Sequence, residues 1–522
     1  MNNWIIAPVI LPALVAPFIV LLMRHDLFLQ RIFSTATTAA LVLISGALLY
    51  AASNNPPEVY LLGNWPAPFG IVLVLDRLSA MMVTLTAVLA LVVQLYAIGT
   101  GWDARGKHFH ALFQFQLMGL GGAFLTGDAF NLFVFFEVLL IASYGLMIHG
   151  GGANRLRAGI QYVAFNLVGS TLFLFALATV YSVAGTLNMA DLAVKVAALP
   201  AGDAALVRVG AVMLLMVFAI KGALVPLQFW LPATYGFAPG PVAALFAVMT
   251  KVGAYAVIRV FTLIFPPDTA ATGMLFGDIL LPAALLTLAL GALGVMGASG
   301  LARLAAFAGI GSMGTLFIAV AQFTPEAMAA GLYYLVHSTL VLAVLFLIVD
   351  MVQDRRGSDS TAEAMPPMAQ HGLLSALFFV AAIAMAGMPP LSGFLGKLLI
   401  MDATRGPDMA MIWAIILITS LITMMGFARA GSTVFWKAHA LSTTQQVPEH
   451  PTEPLAHTMI FALMAALVAL TVFAGPVTAW MGDTAAGLFE RTAYIQAVLP
   501  DGATLTESAP AQATPSEATV KE

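Results

Sequence analysis

Apolar positions along this chain come in runs of about twenty residues, each closed by charged residues or a Pro/Gly turn. A helix of that length spans about 30 Å, the hydrocarbon thickness of a bilayer. The runs predict spans near 4–23, 32–52, 72–99, 109–127, 129–149, 160–184, 207–235, 240–264, 276–298, 301–322, 326–350, 371–403, 408–436 and 456–481, about fourteen in all. No basic residue precedes the first run and no small-residue cleavage site follows it, so it reads as a retained span.

Two runs are interrupted. "AIKGALVPLQFWLP" sets Lys221 five residues before Pro226 and closes its second piece at Pro232. "AMAGMPPLSGFLGKLL" gathers Gly387, Pro389, Pro390 and Gly393 into one run, with Lys397 just beyond. Proline removes an amide donor and clashes with the preceding turn. Such gaps survive at bilayer depth only where protein or a water-filled cavity satisfies the freed backbone. The interruptions fall in the seventh and twelfth spans. An odd offset of five inverts one copy relative to the other, which predicts two inverted five-helix repeats.

The expected organisation is therefore all-α and polytopic. Residues 1–108 hold helices 1–3, 109–265 the first repeat (helices 4–8), 276–436 the second repeat (helices 9–13) and 456–481 helix 14. Residues 482–522 form a polar tail expected to be partly disordered. Leu187–Leu199 reads as a short amphipathic helix on the outer surface, and Gln353–Gln370 as a polar linker.

Composition agrees with this reading. Of 522 residues, 61% are hydrophobic and 9% charged, with a mean hydropathy of +0.96, against about 25% charged in a soluble domain. The absence of cysteine excludes disulfides, thiolate-held iron–sulfur clusters and Cys-type zinc sites. The thin net charge of −4 implies no nucleic-acid partner. No H-E-x-x-H, G-x-S-x-G or phosphate-loop motif occurs, so neither a metal, a cofactor nor a catalytic nucleophile is expected.

Eighteen of the 21 Lys and Arg fall between spans or near their ends, eleven in one set of loops and seven in the other. The richer set includes Arg105, Arg155, Arg157, Arg355 and Arg356. By the positive-inside bias it is cytoplasmic, with both termini outside. The remaining three, Lys221, Lys251 and Lys397, fall inside spans. Glu137 does too, in "NLFVFFEVLLIASYGLMIHG", where the neighbouring acidic residues are Asp128 before it and Asp191 after it. A charge at a helix centre costs roughly 3 kcal/mol on insertion scales, and intramembrane ionisable groups mark ion pathways.

His337, beside Ser338 and Thr339, completes the set. The structural alternative is a brace between helices, or a side chain reaching to the surface. That suits Arg259, near a span end, and His110 and His149, also near span ends. Asp128 and Asn131 read as a helix cap. Desolvation disfavours the charged form, so buried lysines can gain and lose a proton near neutral pH. A nearby Glu137 would hold the proton on Lys221, on facing helices close enough to pair directly or through one water. Lys251, His337 and Lys397, bridged by water, would extend the line.

The segments "GDAFNLFVFFEVLLIASYGL", "KGALVPLQFWLP", "PGPVAALFAVMTKVGAY", the His337 span and "MPPLSGFLGK" together resemble the antiporter-like proton-channel family. That family includes membrane-arm subunits of complex I and large subunits of Mrp-type cation/proton antiporters. The resemblance covers nearly the whole chain and looks closest to the D branch of the Mrp antiporters. Ala233 stands where complex I members usually have Asp, and Lys397 where one of the three paralogues has Glu.

The resemblance implies a proton pathway of Glu137, Lys221, Lys251, His337 and Lys397, with Glu137 and Lys221 as the coupled pair. It further implies a secondary-transporter subunit rather than an enzyme, in a bacterial cytoplasmic (inner) membrane. Its partners would be A-, B-, C-, E-, F- and G-type subunits and the lipid bilayer. It would exchange protons for a monovalent cation, Na+ being favoured. The alternative is a proton-pumping subunit of an NADH:quinone oxidoreductase or a membrane-bound hydrogenase.

Overall fold

The fold was obtained as a computed structural model, which describes residues 2–200, 202, 204–273, 275–441 and 451–500. Short polar residues set where the apolar helices begin. Asp26 accepts from the Leu29 amide and separates α1 (Ala7–Leu22) from α2 (Leu27–Asn54). A hairpin of β1 (Glu58–Leu61) and β2 (Val72–Leu75) follows, antiparallel, with Glu58 opposite Leu75. The third apolar run thus starts as a strand. Val72-Leu73-Val74-Leu75 is extended, and the helix waits for the capping box of Asp76 and Ser79 that opens α3 (Arg77–Gly99).

Then come α4 (Phe109–Leu125), α5 (Ala129–Met147), α6 (Ala153–Ala184) and the short α7 (Met189–Ala197). Asp128 accepts from the Asn131 amide at 2.7 Å, capping α5 as expected. Asn188 caps α7, which lies within the stretch read as a short amphipathic helix. The seventh run forms two helices, α8 (Ala205–Lys221) and α9 (Trp230–Phe237). After α10 (Gly240–Leu263), α11 (Leu275–Gly297), α12 (Leu301–Ala321) and α13 (Pro325–Arg356), the twelfth run also divides. Its pieces are α14 (His371–Ala386) and α15 (Ser392–Ala403), and α16 (Met409–Gly431) and α17 (Pro454–Val472) follow.

Among the described residues ten helices are long and apolar enough to cross a membrane: α2, α3, α5, α6, α10–α13, α16 with its π-helical continuation, and α17. Three shorter apolar helices accompany them, α1, α4 and α14. The apolar windows of α10, α12 and α13 are 94–100% buried, whereas those of α2, α6, α16 and α17 are about one third buried. The first group is the core. The second turns large apolar side chains outward, Leu43, Ile160, Phe175 and Leu417 among them, as a hydrocarbon surround allows.

Part of the expected polar tail is helical. Beyond α17 the chain kinks at Phe473 into α18 (Ala474–Phe489) and α19 (Arg491–Val498). α18 packs against α10 and α13, and Asp483 pairs with Arg77 at 2.9 Å. Arg491 of α19 reaches Asp268 at 3.1 Å. Residues 501–522 lie outside the described residues.

Candidate functional site

Each break in the helices is closed by hydrogen bonds from neighbouring groups. Beyond Lys221, the last residue of α8, the Leu224 amide donates to Ala219 O and the Trp230 indole to Ile220 O, each at 2.9 Å. The Val225 amide, the next residue after Leu224, donates to the Thr287 hydroxyl of α11 at 2.9 Å. A Cβ on Gly253 of α10 would lie 2.5 Å from the Gly222 nitrogen, so only glycine allows that close a crossing. Backbone released by Pro226 is thereby satisfied inside protein.

Lys221, 8% exposed, donates from Nζ to Asn166 Oδ1 at 2.7 Å. Glu137 on α5 accepts a hydrogen bond from the Ser170 hydroxyl. Asn166 and Ser170 are both on α6, four residues apart, and therefore neighbours on one face. The two charged groups expected to pair do not form a direct ion pair; α6 gives each a neutral partner, while α5 and α8 also meet directly, Lys221 Nζ lying 5.8 Å from the Phe136 ring. One turn before Asn166, Tyr162 continues the same face, its hydroxyl 2.9 Å from Ser143 Oγ of α5. Asn166 also anchors itself, donating to Tyr162 O at 2.8 Å.

Lys251 is wholly buried in the middle of α10, with Met313 Sδ of α12 at 3.2 Å, a weak acceptor. His337 of α13 is buried, and its Nδ1 lies 2.8 Å from Ser392 Oγ, the first residue of α15. Lys397 of α15 donates to Ala386 O and to Ser420 Oγ of α16, both at 2.8 Å. Ala386 ends α14, so this ammonium caps the carbonyl end of the broken helix. Gly387 (φ 78°) makes room, since a Cβ there would lie 2.7 Å from the Lys397 side chain. Both breaks thus carry a lysine, and His337 touches the second through Ser392.

Other expectations resolve differently. Arg259 is buried rather than reaching the surface, and grips Asp76 with both nitrogens at 2.6 and 2.7 Å. Burial alone would raise the Asp76 carboxyl, but Arg259 and the Ser79 donors outweigh it and hold the group below the usual range. The Tyr494 ring of α19 lies under the same guanidinium, 5.1 Å away. His110 pairs with the buried Asp103 at 3.1 Å, and Asp103 also takes a two-pronged grip from Arg31. His149 reaches Trp102 O at 2.8 Å. All three are structural contacts, as their positions near helix ends suggested for the histidines.

A helical membrane protein whose core carries ionisable groups at two helix breaks is the class that fold and site define. The chain belongs to the NADH:quinone oxidoreductase/Mrp antiporter transmembrane family, whose model matches residues 126–423. It is 38% identical to the D-type subunit of the Na(+)/H(+) antiporter of Bacillus subtilis, over 96% of this chain and all of that one. It is 37% identical to the D-type subunit of a probable K(+)/H(+) antiporter of Rhizobium meliloti, over 96% of this chain and 98% of the other. Among solved structures it resembles a chain of the Mrp complex from Dietzia sp. DQ12-45-1b, with a TM-score of 0.85 and 28% identity, covering 96% of this chain and 100% of that one.

Proposed function

We propose that this chain is the proton-translocating D-type subunit of a multisubunit cation/proton antiporter in a bacterial cytoplasmic membrane. The observation that carries the reading is the set of buried ionisable groups at and between two helix breaks: Glu137, Lys221, Lys251, His337 and Lys397. Lysines tied to neutral acceptors, rather than locked in ion pairs, are free to exchange protons as their surroundings shift. Glu137 sets the charge state of Lys221 across the Ser170–Asn166 face of α6. Lys251 and His337 carry the proton toward Lys397.

In this reading about fourteen spans form two inverted repeats, α4–α10 and α11–α16, each with one broken helix. Both termini face outward, by the basic-residue bias. The partners are the other antiporter subunits. Names of relatives divide between Na+ and K+, and Na+ remains the favoured cation.

The test is Glu137→Gln in the assembled complex, read as dissipation of a vesicle pH gradient on adding Na+ or K+. Loss of transport with normal assembly is expected. Wild-type transport per complex would remove Glu137 from the mechanism.

A further inference from the structure

Asp350, near the end of α13, is a buried carboxylate that the pathway above does not use. It is 8% exposed, and its partners are neutral donors. The Tyr96 hydroxyl donates at 2.9 Å, and the Trp102 indole spans both oxygens at 2.9 and 3.1 Å. Among the described residues no cation lies within ion-pair distance of it. Asp354, one turn on, is the carboxylate that faces Arg105, at 3.6 Å.

Asp350 lines a cavity of about 550 Å³. The cavity lies where α3, α5 and α13 end and α6 and α10 begin, on the face proposed to be cytoplasmic. Charged groups line its walls from two elements besides α13, Arg105 after α3 and Arg155 on α6; Glu453 before α17 lies behind them, paired with Arg355 at 3.2 Å. On α13 itself stand Asp354 and Arg355. Arg155 is spoken for, donating to His149 O, Gly151 O and Phe237 O.

The fold makes room for this carboxylate. A Cβ on Gly240, the first residue of α10, would fall 2.3–2.5 Å from Asp350 Cβ, Cγ and Oδ1. Asp350 therefore lies across the start of the helix that carries Lys251, and on the helix that carries His337. At 1.5 Å per residue it stands about 20 Å from His337, and Gly240 about 16 Å from Lys251. Those are the distances from mid-membrane to a membrane face.

We propose that Asp350 is the port through which the cytoplasmic vestibule exchanges protons with the Lys251–His337 part of the pathway. A carboxylate held by neutral donors takes up and releases a proton without breaking an ion pair, and the cavity brings water to it. The proposal rests on the proton-pathway reading above.

The test uses the assembled complex in vesicles, with cation-driven dissipation of a pH gradient normalised to assembled complex. Asp350→Asn should lower turnover by at least about tenfold, in the range of a lost proton-transfer group, and Asp350→Glu should recover most of it. Lys251→Met is measured beside them. If Asp350→Asn keeps wild-type turnover while Lys251→Met loses it, the port is overturned and the pathway stands. If Lys251→Met also keeps its turnover, the pathway reading itself fails. If Asp350→Asn reduces only the amount of assembled complex, Asp350 is a brace for Tyr96 and Trp102, and the port is overturned.

Discussion

Gly393→Ala places one methyl group in the tightest part of the second helix break. A Cβ there would lie 2.0 Å from Ala384 O of α14, 2.8 Å from His337 Nε2 and 3.0 Å from His337 Cε1. Ordinary contact begins at 3.4 Å, so α15 must retreat from α14 by 1.4 Å, the difference between the two values. Ser392 is the preceding residue and holds His337 at 2.8 Å. The same retreat stretches that bond beyond 4 Å, past any hydrogen bond. Overpacking alone costs about 1–3 kcal/mol, and a misplacement of about 1 Å can cost roughly a hundredfold in rate. The expected outcome is a complex that assembles, melts at a lower temperature and transports ten- to a hundredfold more slowly, on the scale of that misplacement. Gly406→Ala, where a Cβ meets nothing within 4 Å, is the control and should behave as wild type. Vesicle transport per assembled complex is the assay. Wild-type turnover and melting for Gly393→Ala would refute the idea that the break is held to sub-ångström tolerance.

Two further outcomes are expected. Asn166→Leu deprives Lys221 of its 2.7 Å acceptor; a hydrogen bond to a charged group is worth about 1.5–3 kcal/mol, so vesicle transport should fall roughly tenfold or more, and an unchanged rate would show that α6 is only a spacer. Asp76 is held below the usual carboxylate range, so its pairing with Arg259 stabilises the fold at neutral pH and is lost only below about pH 4. Arg259→Met strands that charge, at about 3–5 kcal/mol for a broken buried pair. Burial then raises the carboxyl, so the melting deficit should shrink from pH 8 to pH 5 and largely vanish with Asp76→Asn added; an equal deficit at both pH values counts against the ion pair.

The breaks were legible because Pro226, and Pro389 and Pro390 with Gly387, each stand beside a lysine inside an apolar run; proline alone decides nothing, since Pro12 and Pro17 lie inside α1 and Pro282 inside α11. The buried lysines were legible by subtraction, since every other basic residue had a loop or a span end to occupy. Asn166 and Ser170 were not singled out. Neutral polar residues are common in spans, and their four-residue spacing matters only once α6 is seen to supply a partner to both α5 and α8. The same blindness to distant partners misread Arg259. Its position near a span end suggested an escape to the surface, but Asp76 lies 183 residues earlier and holds it inside. The strand at Val72–Leu75 was hidden because an apolar run of four reads alike as strand or helix.

The two helices after α17 have a consequence for how the protein is made. Arg77 and Ser53, at the early end of the chain, are gripped by Asp483 and Trp480 of α18. The Arg259–Asp76 pair is roofed by Tyr494 of α19. These helices leave the ribosome long after their partners, so the ends of α2, α3 and α10 that they cover stay without their seal until α18 and α19 have emerged. During that interval an insertion chaperone or a neighbouring subunit has an uncovered polar surface to shield. Released chains truncated before residue 474 and after residue 498 would sample the two sides of that step.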